Sequence, residues 1–226
     1  MAGFDDGSGG HDQSGGIQDL MGARLTRKSP LLEETWRYWS SLRRGHALPR
    51  RDALEPRAMS FILGHSMILD RIRPGTVRVR LGGRAVQDLM GMEVRGLPVR
   101  AFFDLDARTE ATAIVEAVFE TPSVLEMDLV SDGPEGRLAG RMLVLPLLDH
   151  AGRPTKALTC LSLDGPVQGP PRRFRLMGHR LSPIHAAAAP APLPVPCQDA
   201  PALPLELAEA PAAFRSSPVP WLRVVK

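Results

Sequence analysis

His65–Gly96, HSMILDRIRPGTVRVRLGGRAVQDLMGMEVRG, decides how the chain folds. Ser66 to Arg71 reads as a strand. Arg73-Pro74-Gly75-Thr76 then puts Pro-Gly at the two central positions of a type II reversal, where proline presets φ and glycine accepts a positive one. Val77-Arg78-Val79-Arg80-Leu81 alternates, which sends the three apolar side chains to one face of a strand and the two arginines to the other. Gly82-Gly83 permits a sharp turn. Ala85 to Met90 is a short helix, and Gly91 suits the left-handed position that ends it. Strand, turn, strand, glycine pair and short helix fit a small antiparallel sheet whose helices cross one face and roof a pocket. The stretch holds no nucleophile with a base, no metal cluster and no phosphate cradle, so it points to a binding or sensing module.

Upstream, Ser29-Pro30 opens a helix, with proline suited to its first turn. Glu33 and Glu34 near its start and Arg43 and Arg44 near its end match the helix dipole. Leu32, Trp36, Trp39 and Leu42 are spaced four, three and three apart and share one face. Gly45 is expected to end the helix. After HALPRRDALEP, Asp52 or Glu55 is expected to cap a second helix that carries Pro56 in its first turn and buries Met59, Ile62 and Leu63, with Gly64 as its stop.

Downstream, Leu97-Pro98 starts a short helical piece that brings in Phe102 and Phe103. Asp104 or Asp106 is expected to cap a longer helix running to about Glu120, with Ala111, Ile114, Val115 and Val118 as its buried stripe. Thr121-Pro122 breaks it. Three strands follow: Ser123–Ser131, the long apolar run within 137–148, and 156–164, joined by turns at Asp132-Gly133-Pro134 and Asp149-His150-Ala151-Gly152. Met142–Leu147 is apolar on both faces, so something must cover each side. Pro146 lacks an N–H and needs an edge or a bulge. After Pro166 periodicity fades, and FRLMGHRL is expected to form one short amphipathic turn.

The 226 residues carry 28 Lys+Arg against 25 Asp+Glu, a net charge of +3, far from the dense basic face of a dedicated nucleic-acid binder. Residues 1–28, Gly-rich and acidic, are expected to be disordered; so is most of 167–226, where 186–220 is rich in alanine and proline. The span 29–166 forms the one domain. Cys160 and Cys197 make neither a disulfide framework nor a zinc site, and no apolar run approaches the length of a membrane span. These features suit a cytoplasmic protein. Trp221-Leu222 near the C-terminus is a candidate docking motif.

The segments TWRYWSSLRRGHALPRRDALEP, ILDRIRPGTVRVRLGG, DLMGMEVRGLPVRAFF and RMLVLPLLDHAGRPTKALTCL resemble the PAS domain family. In particular they resemble a branch of short bacterial proteins in which one PAS domain follows an N-terminal Trp-rich helix with no attached kinase or cyclase. The resemblance spans about residues 30–166 and implies an α+β PAS fold: five antiparallel strands, helices inserted between the second and third, and an N-terminal helical cap. It also implies a sensory or regulatory role, exercised on a signalling partner in trans. It names no ligand, and the cofactor stays unknown.

On that fold Met67, Leu69, Val79, Leu81, Met142, Val144 and Leu161 are expected to face the helices from the sheet. Leu89, Met90, Met92, Phe102, Phe103, Ile114 and Val118 face back. The simpler reading of this set is a closed core; the other is a cavity for a small apolar or amphipathic ligand, which the adaptable methionines suit. Leu32, Trp36, Trp39 and Leu42 are expected to cap the outer face of the sheet, to pair with a second copy in a homodimer, or to do both, because a helix can cap its own sheet and still offer a second face. Each indole would bury about 150–250 Å², roughly 4–6 kcal/mol gross at about 25 cal/mol per Å².

Other chemistries fit poorly. A photoactive flavin site needs a cysteine on the helical side, whereas Cys160 lies in a late strand. Haem needs an axial ligand there, whereas His65 precedes the first strand and His150 sits in a reversal. GMEVRG lacks the dinucleotide-binding glycine pattern and does not follow a strand. Asp149-His150 with Ser162 or Asp164 forms no recognisable nucleophile pattern, so the chain is read as no enzyme. Arg43-Arg44, Arg50-Arg51, Arg71, Arg73, Arg172, Arg173, Arg175 and Arg180 leave a nucleotide or nucleic-acid partner as an alternative. With 5% aromatic residues the stacking platforms of nucleic-acid readers are scarce.

Overall fold

The computed structural model describes residues 29–45 and 47–184; the expectations for 1–28, for the Ala/Pro-rich 186–220 and for Trp221-Leu222 fall outside it. Helix α1 spans Pro30–Ser41 and α2 spans Ser60–Leu63. Strands β1 (Ser66–Arg73) and β2 (Thr76–Gly82) follow, then α3 (Arg84–Met90) and α4 (Arg108–Glu120). Strands β3 (Ser123–Ser131), β4 (Leu138–Leu147), β5 (Lys156–Leu163) and β6 (Arg175–Pro183) complete the fold.

All strand pairs are antiparallel, in the order β2-β1-β5-β4-β3-β6. The expected α+β sheet thus forms with six strands instead of five. The stretch expected to be one short amphipathic turn is β6, which covers the far edge of β3. The ordered body therefore continues past residue 166.

The β1–β2 reversal places Gly75 at φ +74°, as a type II turn needs. Gly91 takes φ +65° and ends α3. Several helix ends differ from expectation. Helix α1 stops at Ser41, with Leu42 as its C-cap instead of continuing to Gly45. Neither Asp52 nor Glu55 caps α2, whose N-cap is Met59. Asp104 begins a 3-10 turn, Leu105–Ala107, and α4 follows Ala107 with no side-chain cap.

Two apolar layers sandwich the sheet. The inner layer joins α3, α4 and the Val99–Phe102 turn to the concave face. The outer layer joins α1 and α2 to the opposite face. β4 serves both: Met142 and Val144 point inward, and Leu143, Leu145 and Leu147 point outward. The double-sided apolar run has its cover on each side within one chain.

Pro146 lies past Val144, the last β4 residue paired with β3, so the missing N–H breaks no bond on that side. Its carbonyl instead accepts the Trp39 indole N–H at 3.0 Å. The outer edge of β2 is also occupied: Val79 N donates to Leu97 O at 2.9 Å and Gly96 N to Val79 O at 2.7 Å.

Candidate functional site

The site is built on the concave face. Met67 and Leu69 of β1, Val79 of β2, Met142 and Val144 of β4, and Leu161 of β5 face the helices as expected. Leu89 and Met90 of α3, Phe102, Phe103, and Ile114 and Val118 of α4 face back. All lie in one buried cluster, and Leu69, Leu89, Phe102, Phe103, Val118, Met142 and Val144 have no exposed surface at all.

Two expected members are elsewhere. Leu81 is 49% exposed on the outer side and Met92 is 54% exposed. The cause for Leu81 is a β-bulge: Ile68 pairs with Leu81 and Leu69 with Val79, so Arg80 is an extra residue and the alternation slips by one. Met92 lies just beyond Gly91, and Val94 instead turns inward. A Cβ on Gly82 would stand 2.3 Å from Val94 Cγ2, so the glycine is what admits the valine.

Phe174, Phe119 and Thr159 belong to this cluster or its face and were not singled out from the sequence. Phe174 is fully buried. It reaches the core because its strand-like segment pairs with 102–104: Phe174 N donates to Phe102 O at 2.9 Å, and Asp104 N to Phe174 O at 3.0 Å. Phe119 is in register with the α4 stripe, Val115 plus four. Thr159 lies opposite Met67 and Val144, both inward residues, and so faces inward between Ala157 and Leu161. Its Oγ1 is buried without a hydrogen-bond partner. The alternation of β5, with Leu161 already assigned inward, contains the signal for Thr159.

On the outer face, Leu32, Trp36 and Trp39 are buried against β4 and β5, and Leu42 is half-buried beside them. The two indoles stack with centroids 5.4 Å apart, and the Arg43 guanidinium lies 5.2 Å above the Trp39 ring. The stripe is therefore a cap on its own sheet.

Cys160 also points to this outer layer, away from the helical side where flavin chemistry would need it. Burial pushes its thiol up to about 11, against the smaller lowering effect of hydrogen bonds with Thr35 and Ser66.

Several of the remaining candidates have structural partners. Asp149 Oδ1 accepts the backbone N–H of Ala151 at 2.8 Å and of Arg153 at 2.9 Å; Oδ2 accepts the Thr155 hydroxyl at 2.9 Å. The Arg153 backbone bond, helped by Thr155, Ala151 and the Arg153 charge, outweighs burial and draws its carboxyl down to about 2. It locks the β4–β5 turn. Ser162 Oγ meets Ser29 Oγ at 2.8 Å, far from any base role.

Among the arginines, Arg71 pairs with Glu116, and Arg175 with Asp132. Arg172 is buried, donating to Ser131 Oγ at 3.1 Å, Ser131 O at 2.8 Å and Gly136 O at 2.6 Å. These three do not present a common phosphate-binding face. No cluster of three or more His, Cys, Asp or Glu poised for a metal occurs among the described residues.

A family model for the PAS domain matches residues 27–162, more than half of the chain. The chain belongs to the PAS domain family. Among solved structures, a light-oxygen-voltage domain from a study of a flavin analogue is 16% identical, with a TM-score of 0.39 over 48% of this chain and 83% of that one. The dark structure of the blue-light photoreceptor Aureochrome1 LOV is 17% identical, with a TM-score of 0.36 over 48% and 81%. A PAS domain of a protein from Colwellia psychrerythraea is 15% identical, with a TM-score of 0.33 over 46% and 91%. No curated protein matches the chain. A ligand does not travel with a fold at such identities. This PAS domain is a sensory or regulatory type of module, and no helix among its described residues is long and apolar enough to cross a membrane.

Proposed function

We propose that this PAS domain is a cytoplasmic, non-catalytic regulatory module that acts through contacts with other proteins, a signalling partner or a second copy of itself. The observation that carries the reading is the closed inner side. The residues that would line a ligand chamber are packed to near-zero exposure, with Phe102, Phe103, Phe119 and Phe174 filling the space between sheet and helices. An interior committed to packing leaves the surface as the place where a signal is passed. Large apolar side chains stand out there: Phe61 is 67% exposed, and Leu105 and Met177 are more than half exposed.

Site-specific photocrosslinking tests this. A photoreactive phenylalanine analogue is placed in turn at Phe61, Leu105 and Met177 of the full chain, in the cells that make it. The expected result is a discrete adduct with a second, different polypeptide at one position and none at the others. Adducts with the chain itself alone support a constitutive dimeric scaffold instead. Blank results at all three positions overturn the reading.

One observation favours a ligand-responsive version. The unpartnered hydroxyl of Thr159 faces the inner core, where a buried lone donor is costly. A small apolar molecule bearing one polar atom would satisfy it in a minor, opened state of the core, where the packing gives way to admit it. In that version Thr159→Val raises thermal stability of the empty protein and abolishes any copurifying small molecule seen by native mass spectrometry.

A further inference from the structure

The bulge at Arg80 has made a groove on the side of the sheet away from the helical core. It lies over β1 and β2, beside the part of the sheet that α1 covers, with a volume of about 440 Å³. Ile68 and the outward-turned Leu81 form one wall, and Leu54, Met59 and Leu63 of the segment before β1 form another. Gly83 brings the two sides of the groove close together: a Cβ there would stand 2.2 Å from Leu63 O and 2.3 Å from Gly64 O, so only glycine lets the start of α3 pack on the end of α2. Its size falls in the range of small-molecule sites, about 300–1,000 Å³.

The charged residues that line it are Arg51 and Arg84, and no carboxylate is among the described lining residues. Arg84 is almost fully exposed, and its ion pair with Asp88 is a loose 3.9 Å. Arg51 is half-buried at the groove and, among the described residues, makes no ion pair. Its neighbour Arg50 takes up Asp52. An apolar trough with two guanidinium groups and no acid has one complementary occupant: a chain of hydrocarbon with an anionic head.

We propose that this groove binds a free single-chain amphiphile, its tail against Leu54, Met59, Leu63, Ile68 and Leu81 and its carboxylate or phosphate head at Arg51 and Arg84. Guanidinium forks grip either head in a bidentate manner, which a cationic head cannot match. The site goes beyond the protein-contact reading and does not depend on it, because it uses none of the inner core.

Isothermal titration calorimetry of the full chain, with amphiphiles kept below micelle formation, tests it. Octanoate, decanoate and dodecanoate are expected to bind one site with affinity rising about fourfold per methylene until the groove is full. Dodecyl phosphate is expected to bind comparably and decyltrimethylammonium at least tenfold more weakly than decanoate. Leu81→Glu, at a half-exposed position, is expected to lose binding with an unchanged melting temperature. Leu63→Glu serves the same purpose should the first variant unfold. Replacing Arg51 and Arg84 together by alanine is expected to erase the preference for anionic heads.

Several outcomes overturn the proposal: no saturable dodecanoate binding, equal affinity for the cationic probe, or binding indifferent to both Leu81→Glu and Leu63→Glu. So does binding seen only with phosphatidylglycerol vesicles, which marks a membrane surface. A Leu81→Glu change that alters oligomer mass while dodecanoate fails to bind marks a second copy as the occupant. Photocrosslinking at Phe61, Leu105 and Met177 is read separately, so either result can fail while the other stands.

Discussion

Asp149 is where a single side chain governs a whole turn. The β4–β5 reversal needs its backbone N–H groups at Ala151 and Arg153 satisfied, and one carboxylate does both while also holding the Thr155 hydroxyl. The charged form is the one that accepts these bonds, so the carboxyl titrates near 2 instead of near 3.8. A depressed folded value means stability that is complete above the unfolded value and is lost as pH falls through the folded one. Asp149→Asn is therefore expected to lower the melting temperature at pH 7. The gap to the parent protein should shrink between about pH 4 and pH 2, as the parent carboxyl is itself protonated. Melting curves across that range check it, and a gap that stays constant down to pH 2 would refute the assignment.

Among elements, α1 makes the plainest energetic claim. Trp39 has no exposed surface, stacks on Trp36 and donates its indole N–H to the Pro146 carbonyl at 3.0 Å. Trp39→Ala removes the packing and the indole hydrogen bond to that carbonyl, so a loss of about 3–5 kcal/mol is expected in urea unfolding. A loss under about 1 kcal/mol would mean that the helix merely rests on the sheet. The helix and its buried stripe were legible because the 4-3-3 spacing is undisturbed, and β4 was legible because both its faces are apolar.

Legibility failed where a strand carries an extra residue. In β2 the bulge at Arg80 breaks the alternation before Leu81. In β6, Asp128 pairs with Gly178 and Leu129 with Leu176, which leaves Met177 as the extra residue. Its inward positions become Leu176, His179 and Leu181, opposite Leu129, Met127 and Leu125. The three-residue step from 176 to 179 imitates a helical period, which is why the stretch reads as an amphipathic turn. The same slip hid the groove, since an inward Leu81 would leave it without a wall.

For the molecule as a whole, the question is where the folding unit ends. The family match stops at residue 162, yet the chain beyond it supplies parts the core cannot replace. Phe174 is fully buried between the sheet and the 102–104 segment. Arg172, buried and without an acid partner among the described residues, binds the β3–β4 turn through Ser131 and Gly136. β6 pairs with β3 from Ser123 to Val130, sealing an edge that would otherwise expose unpaired backbone. Losing a buried phenylalanine costs about 3–5 kcal/mol, and losing a buried charged hydrogen-bonding group adds about 1.5–3. Against the 5–15 kcal/mol that holds a typical domain together, the sum removes most of the margin. A chain ending at Gly165 is therefore expected to lose its cooperative melting transition or aggregate. Phe174→Ala in the full chain should melt cooperatively at a clearly lower temperature. Circular dichroism melts of the two against the parent decide it: a chain ending at Gly165 that melts as the parent does would show that the five-stranded unit suffices and that β6 is an attachment.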